Sequence, residues 1–133
     1  MSSSVFTALE SPTKIACRYI DAYNAIDLGG VRALLHPIKF QFSHHNWAAY
    51  AASAEDFVSM LDRMAKDTFP NRQFTHIHAI HAVDDVVLLD TSWKATPIVT
   101  IPGGSEAGVE FSMNIKSFIV VEEGLITEIR DHN

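Results

Sequence analysis

The chain has 133 residues, 47% of them hydrophobic, and a formal net charge of −6. That size and composition fit one globular domain over residues 1–133, with a core that needs neither disulfides nor a structural metal. With 10 Lys and Arg against 16 Asp and Glu, it lacks the basic footprint of a nucleic-acid binder; it has no apolar run of about 18 residues and no charged-then-apolar leader, so no membrane partner is expected.

Met1 to Ser4 reads as a frayed start. Ser11-Pro12 opens a helix, with Ser as N-cap and Pro at the first helical position. Ile15, Ala16, Tyr19, Ala22, Tyr23 and Ile26 form its apolar stripe at helical spacing. The lone Cys17 lies in this helix, forbids an intramolecular disulfide and suits a reducing, cytoplasmic setting. Asp27 caps a second, short helix from Leu28 to Leu35, ended by His36-Pro37.

Lys39 to His44 is a strand candidate with Phe40, Phe42 and His44 on one face. His45 to Ala52, with Trp47 and Tyr50, reads as a loop or irregular turn. Ser53 and Asp56 make a capping arrangement before a third helix, Ala54 to Thr68, whose stripe includes Phe57, Leu61 and Met64. Arg72 to Val83 and Val86 to Thr96 alternate as strands around Asp84-Asp85. After a connection containing Pro102-Gly103-Gly104 comes a closing hairpin with a Glu-Glu-Gly turn. Before that turn Phe111, Met113 and Ile115 share one face and Asn114 and Lys116 the other; after it Leu125, Thr127, Ile129 and Asp131 share one parity and His132 has the opposite one. The hairpin is expected at the sheet centre. Helices first and antiparallel strands after predict an α+β fold.

That order, with the segments Arg18 to Pro37, Ala54 to Leu61, Phe74 to His78 and Gly124 to His132, resembles the nuclear transport factor 2-like superfamily in its SnoaL-like branch. The branch is similar to SnoaL-type polyketide cyclases, scytalone dehydratase and ketosteroid isomerase. The resemblance implies a cone-shaped fold: a curved antiparallel sheet wrapped around three N-terminal helices, with a pocket between them. It also implies acid–base chemistry on a small apolar molecule without metal or organic cofactor, and a homodimer through the sheet. The same fold hosts many functions, so function must come from the site.

By that resemblance, Tyr19 matches the oxyanion-binding tyrosine of ketosteroid isomerases, and Tyr23 a tyrosine of scytalone dehydratase. An ungapped match puts Ser43 where the isomerase has its catalytic aspartate. The alternation Phe40, Phe42, His44 favours His44 as the base, with His45 as the other neighbour. His76 matches the dehydratase pocket histidine. His76 and His78 lie two apart on a strand, with His81 close by, and carry no third metal ligand of the family, so no metal site is expected. Asp90 and Ser92 interrupt an apolar strand and face the pocket on the family register, the alternative being a solvated, outward Asp90 beside Trp93; Asn114 and Lys116 on the next strand are expected to offer the pocket polar groups. Asp131 matches the acid–base aspartate of SnoaL-type cyclases. Trp47, Phe57 and Leu61 are expected to contact substrate. The function expected is a small cofactor-free isomerase, cyclase or dehydratase acting on a ring-containing carbonyl or hydroxyl compound. The alternatives are a ligand-binding or dimeric scaffold protein and, third, an oxygenase subunit of the same fold.

Overall fold

The computed structural model describes residues 10–133; the start expected to fray at Met1 to Ser4 lies outside them. Three helices precede or interrupt the strands: α1 (Pro12–Asn24), α2 (Leu28–Leu34) and α3 (Ala54–Asp67). The strands are β1 (Gln41–His44), β2 (Ala49–Ala51), β3 (Gln73–Val83), β4 (Val86–Ala95), β5 (Phe111–Glu122) and β6 (Leu125–His132).

Local chemistry sets the helix starts. The Ser11 hydroxyl accepts from the Lys14 amide and Ser53 from the Asp56 amide, each satisfying a donor that the first turn leaves open. The Asp27 carboxylate caps α2 through the Gly30 amide at 2.9 Å. It lies so close over Gly30 that a Cβ there would collide with it. Gly30, costly by helix propensity alone, is what the cap requires.

The strands form one curved, unclosed sheet in the order β2-β1-β6-β5-β4-β3. The closing hairpin β5–β6 lies at its centre. Its turn residues Glu123 and Gly124 both have positive φ (53° and 80°), as a two-residue hairpin turn of matching twist demands. The stretch read as a loop, His45 to Ala52, contains β2, which pairs antiparallel with β1. β1 itself runs parallel to β6; the two are joined by no hairpin but by the long connection through β2, α3, β3, β4 and β5.

One sheet face is covered by the helices. Phe42 packs its ring 4.7 Å from that of Phe57 on α3, and Phe74 lies 4.7 Å from Tyr23 on α1. Val87, Ile119, Ile126 and Ile129 are fully buried on this side. At roughly 25 cal/mol per Å² of apolar surface removed from water, this layer is the main stabilising contribution. The opposite, outer face is open across β3, β4 and β5.

Candidate active site

The parallel pairing of β1 with β6 sets His44 beside Asp131, and the antiparallel pairing of β5 with β6 sets Ser117 on its other side. All three side chains lie on the helix-covered face and are buried. Ser117 donates its hydroxyl proton to Asp131 Oδ1 at 2.6 Å. Burial pushes the Asp131 carboxyl up from 3.8 to about 7, with the Ser117 bond pulling the other way. At neutral pH this group therefore populates both forms, as a residue must if it is to take a proton and return it.

His44 stacks on Trp47, ring centroids 4.8 Å apart and nearly coplanar at 4°. Its Nε2 lies 2.9 Å from Asn133 Oδ1. With that oxygen as acceptor, Nε2 carries the proton and Nδ1 is the basic nitrogen. Burial lowers the imidazole below its usual 6.5, His132 adds to this, and the Asn133 bond opposes it. The ring is neutral at neutral pH.

One turn apart on α1, Tyr19 and Tyr23 present their rings, 6.0 Å apart, to the same space. The Tyr23 hydroxyl oxygen accepts from Trp93 Nε1 at 2.9 Å. Burial raises Tyr23 to about 12, with Arg72 and the Trp93 bond pulling down; burial, then the charge of Asp131, raises Tyr19 well above the ordinary tyrosine value. Both are neutral hydrogen-bond donors at physiological pH.

These groups line one cavity of about 70 Å³, whose walls also include Phe57, Leu61, Met60, Met64 and Trp47. The space exceeds what a single water needs, yet it is well below the roughly 300 Å³ typical of sites for larger ligands. A groove of about 870 Å³ adjoins it, lined by Phe69, Phe111, Met113 and the 99–105 loop. Trp47 borders both spaces.

The SnoaL-like domain family matches residues 16–129 of this sequence, which spans every one of these elements except the start of α1 and the end of β6. The chain belongs to the SnoaL-like domain family. Its solved structural neighbours carry the nuclear transport factor 2-like fold. One is a proposed polyketide cyclase from Pseudomonas putida KT2440, with a TM-score of 0.80 and 15% identity over 93% of this chain and 92% of the neighbour. A second is a proposed polyketide cyclase from Xanthomonas campestris pv. campestris, with a TM-score of 0.79 and 22% identity over 92% and 89%. A third, from Catenulispora acidiphila DSM 44928, is a hypothetical protein of ketosteroid isomerase-like fold in complex with trimethylamine, with a TM-score of 0.75 and 14% identity over 90% and 84%. At these identities the likeness concerns the fold. Comparison with curated proteins finds no match.

In this SnoaL-like domain the cavity brings together Asp131, His44, Tyr19, Tyr23, Trp47, Phe57 and Leu61. Five expected pocket residues lie elsewhere. His76 would share the inward face with Phe74 on an ideal strand, but β3 carries a bulge between them, and His76 pairs with Ser92 on the outer face. A second bulge between Ile77 and Ala79 puts His78 there too, its Nε2 2.6 Å from Ser92 Oγ. Asp90 and Ser92 point outward because Leu89, Thr91 and Trp93 take the inward positions of β4. Asn114 and Lys116 do so because Ile115 and Ser117 take those of β5. Asn114 Nδ2 donates to Asp90 Oδ1 at 2.7 Å, and Lys116 Nζ donates to Asn114 Oδ1 at 2.7 Å. Together they form a solvated polar ladder on the outer face. His132 lies on that face opposite Lys116. Among the described residues, no three His, Cys, Asp or Glu side chains converge as a metal site, and no helix is long and apolar enough to cross a membrane.

Four residues that matter here escape the sequence patterns read above. Ser117 had a usable signal, since it is a polar residue on the parity of Ile115 and Ile119. Trp93 is the partner of Tyr23, which alternation marks as buried but not as bonded. Asn133 and Arg72 act through contacts distant in sequence, for which no local pattern exists.

Proposed function

We propose that this SnoaL-like protein is a small acid–base enzyme, an isomerase, cyclase or dehydratase, that needs no cofactor and acts on a ring-containing carbonyl or hydroxyl compound. The observation that carries this reading is Asp131: a carboxyl buried in an apolar cavity, raised to about 7, sharing that cavity with two tyrosines. A carboxyl kept there for stability alone would be a liability, because burial opposes its charged form. In the proposed step the Asp131 carboxylate takes a proton from the carbon next to a ligand carbonyl. The C–H electron pair becomes the C=C bond of an enolate as the carbonyl π pair moves onto its oxygen, where the negative charge settles. A tyrosine hydroxyl holds that oxygen, and Asp131 returns the proton to the product. Neutral His44, stacked on Trp47, binds or relays rather than supplying charge.

The small inner cavity favours a second reading, a non-catalytic ligand carrier or scaffold of the same fold. Turnover of a panel of cyclic ketones and ring alcohols separates the two. Wild type and the outer-face control Asp90→Asn should turn over one panel member equally, with a loss of about 100-fold or more in Asp131→Asn. Equal rates in Asp131→Asn remove that residue from the chemistry, and binding without turnover supports the carrier. The homodimer and a cytoplasmic setting belong to the same proposal. A second copy would cover the outer face, where Leu88 and Val83 are exposed beside Phe118. Sedimentation of wild type against Leu88→Arg tests it, and an unaltered mass would refute it.

A further inference from the structure

Arg72 stands at the entry to β3 and is 1% exposed. Its guanidinium carbon lies 4.3 Å from the centroid of the Tyr23 ring. Nε and both Nη atoms are buried, and none makes a hydrogen bond within the described residues. No carboxylate among those residues forms an ion pair with it. A guanidinium does not shed its charge by losing a proton. A lone buried cation is unfavourable unless something answers it, and here the answer is the π face of Tyr23. That face grows richer in electrons as the phenol gives up its proton, so the attraction strengthens as negative charge builds on the Tyr23 oxygen. The indole N–H of Trp93 reaches the same oxygen at 2.9 Å. It fills an acceptor position and leaves the hydroxyl's own proton free to be donated. Tyr23 in turn lines the cavity that holds Asp131. Tyr19 has neither device. No cation stacks on its ring among the described residues, and Asp131 acts on it more strongly than Arg72 does.

We propose that Tyr23, rather than Tyr19, donates to the ligand oxygen, and that Arg72 and Trp93 are positioning residues which hold Tyr23 ready to share the charge developing there. This rests on the acid–base reading of the cavity. It selects one of two tyrosines and adds two positioning residues, Trp93 in the cavity wall and Arg72 behind Tyr23.

The test needs no substrate at first. Fluorotyrosine, whose phenol ionises in a milder pH range than tyrosine, is incorporated into a Tyr19→Phe, Tyr50→Phe protein, so that Tyr23 alone carries the label. Its ionisation is followed by ¹⁹F NMR. Arg72→Met should lower the ionisation constant about tenfold or more, Trp93→Phe should lower it by a smaller factor, and Arg72→Lys should restore part of the loss. If Arg72→Met does not fold, Arg72→Lys and Trp93→Phe still decide, each against the parent. An ionisation constant that none of them moves overturns the proposal. A second readout uses α-proton exchange of cyclopentanone in D₂O. Tyr23→Phe should lower the maximal rate about 100-fold with little change in KM, and Tyr19→Phe should lower it less. Equal losses would overturn the choice of Tyr23. Were no exchange seen even in wild type, the enzyme reading would fall while the titration still judged the Arg72–Tyr23–Trp93 coupling.

Discussion

Replacing Asp131 by Asn should make the protein more stable, and only above a definite pH. The folded carboxyl titrates near 7, against 3.8 ordinarily. Between those values the folded state holds a proton that the unfolded chain has released. Stability therefore falls as pH rises through this window, and above about 7 the loss is complete. A displacement of that size corresponds to roughly 4 kcal/mol. Relaxation and water entry reduce it, so about 2–4 kcal/mol is expected. The amide has the same shape and still accepts from Ser117, yet carries no charge to desolvate. Urea unfolding of wild type and Asp131→Asn at pH 4, 6 and 8.5 measures the difference. The two should agree within about 1 kcal/mol at pH 4 and diverge in favour of the variant at 8.5. His44 contributes with the opposite sign: its lowered folded value costs stability as pH falls below 6.5, but equally in both proteins. A difference that stays constant across pH, or wild type being the more stable at 8.5, would refute the buried-carboxyl reasoning.

Other outcomes follow from the same contacts. Ser117→Ala removes the hydrogen bond that holds the Asp131 value down, so the carboxyl should titrate higher still, as ¹³C NMR of the side chain would show. Trp47→Ala uncovers His44, and because burial is the leading cause of its lowered value, the imidazole should move back toward 6.5 in an ¹⁵N titration. Gly30→Ala should destabilise by about 1 kcal/mol by displacing the Asp27 cap, whereas Gly29→Ala, whose Cβ meets Asp27 Oδ1 at an ordinary 3.8 Å, should be neutral or stabilising by a few tenths of that; thermal melts compare them.

Period and punctuation made most of the fold legible in the sequence. Ser11-Pro12, Asp27 and Ser53 cap helices where their chemistry says they should, and alternation set the faces of β1 and β5. Phe40, Phe42 and His44 do share the inward side, so His44 rather than Ser43 faces the pocket. The misplaced residues failed for two reasons. His76 was lost to a bulge, and one inserted residue reverses every later side chain while leaving no mark in a local apolar pattern. Asp90, Ser92, Asn114 and Lys116 were assigned to the pocket by likeness to relatives, although the alternation of Thr91, Trp93 and Ile115 already pointed them outward. Where the two disagreed, burial decided in favour of alternation. The Arg72–Tyr23 stack and the His44–Asn133 contact join residues far apart in the chain, and only the folded register brings them together.

The claim that the Asp131 cavity moves protons is tested most directly by hydrogen exchange at carbon. Cyclopentanone is incubated in D₂O with the protein, and loss of its α-proton signal is followed by ¹H NMR from pH 5 to 9. Exchange should be accelerated by wild type, rise with pH as Asp131 ionises near 7, level off above it, and vanish in Asp131→Asn but not in Asp90→Asn. Exchange no faster than in buffer, or equally fast in wild type and Asp131→Asn, would contradict the proposed chemistry.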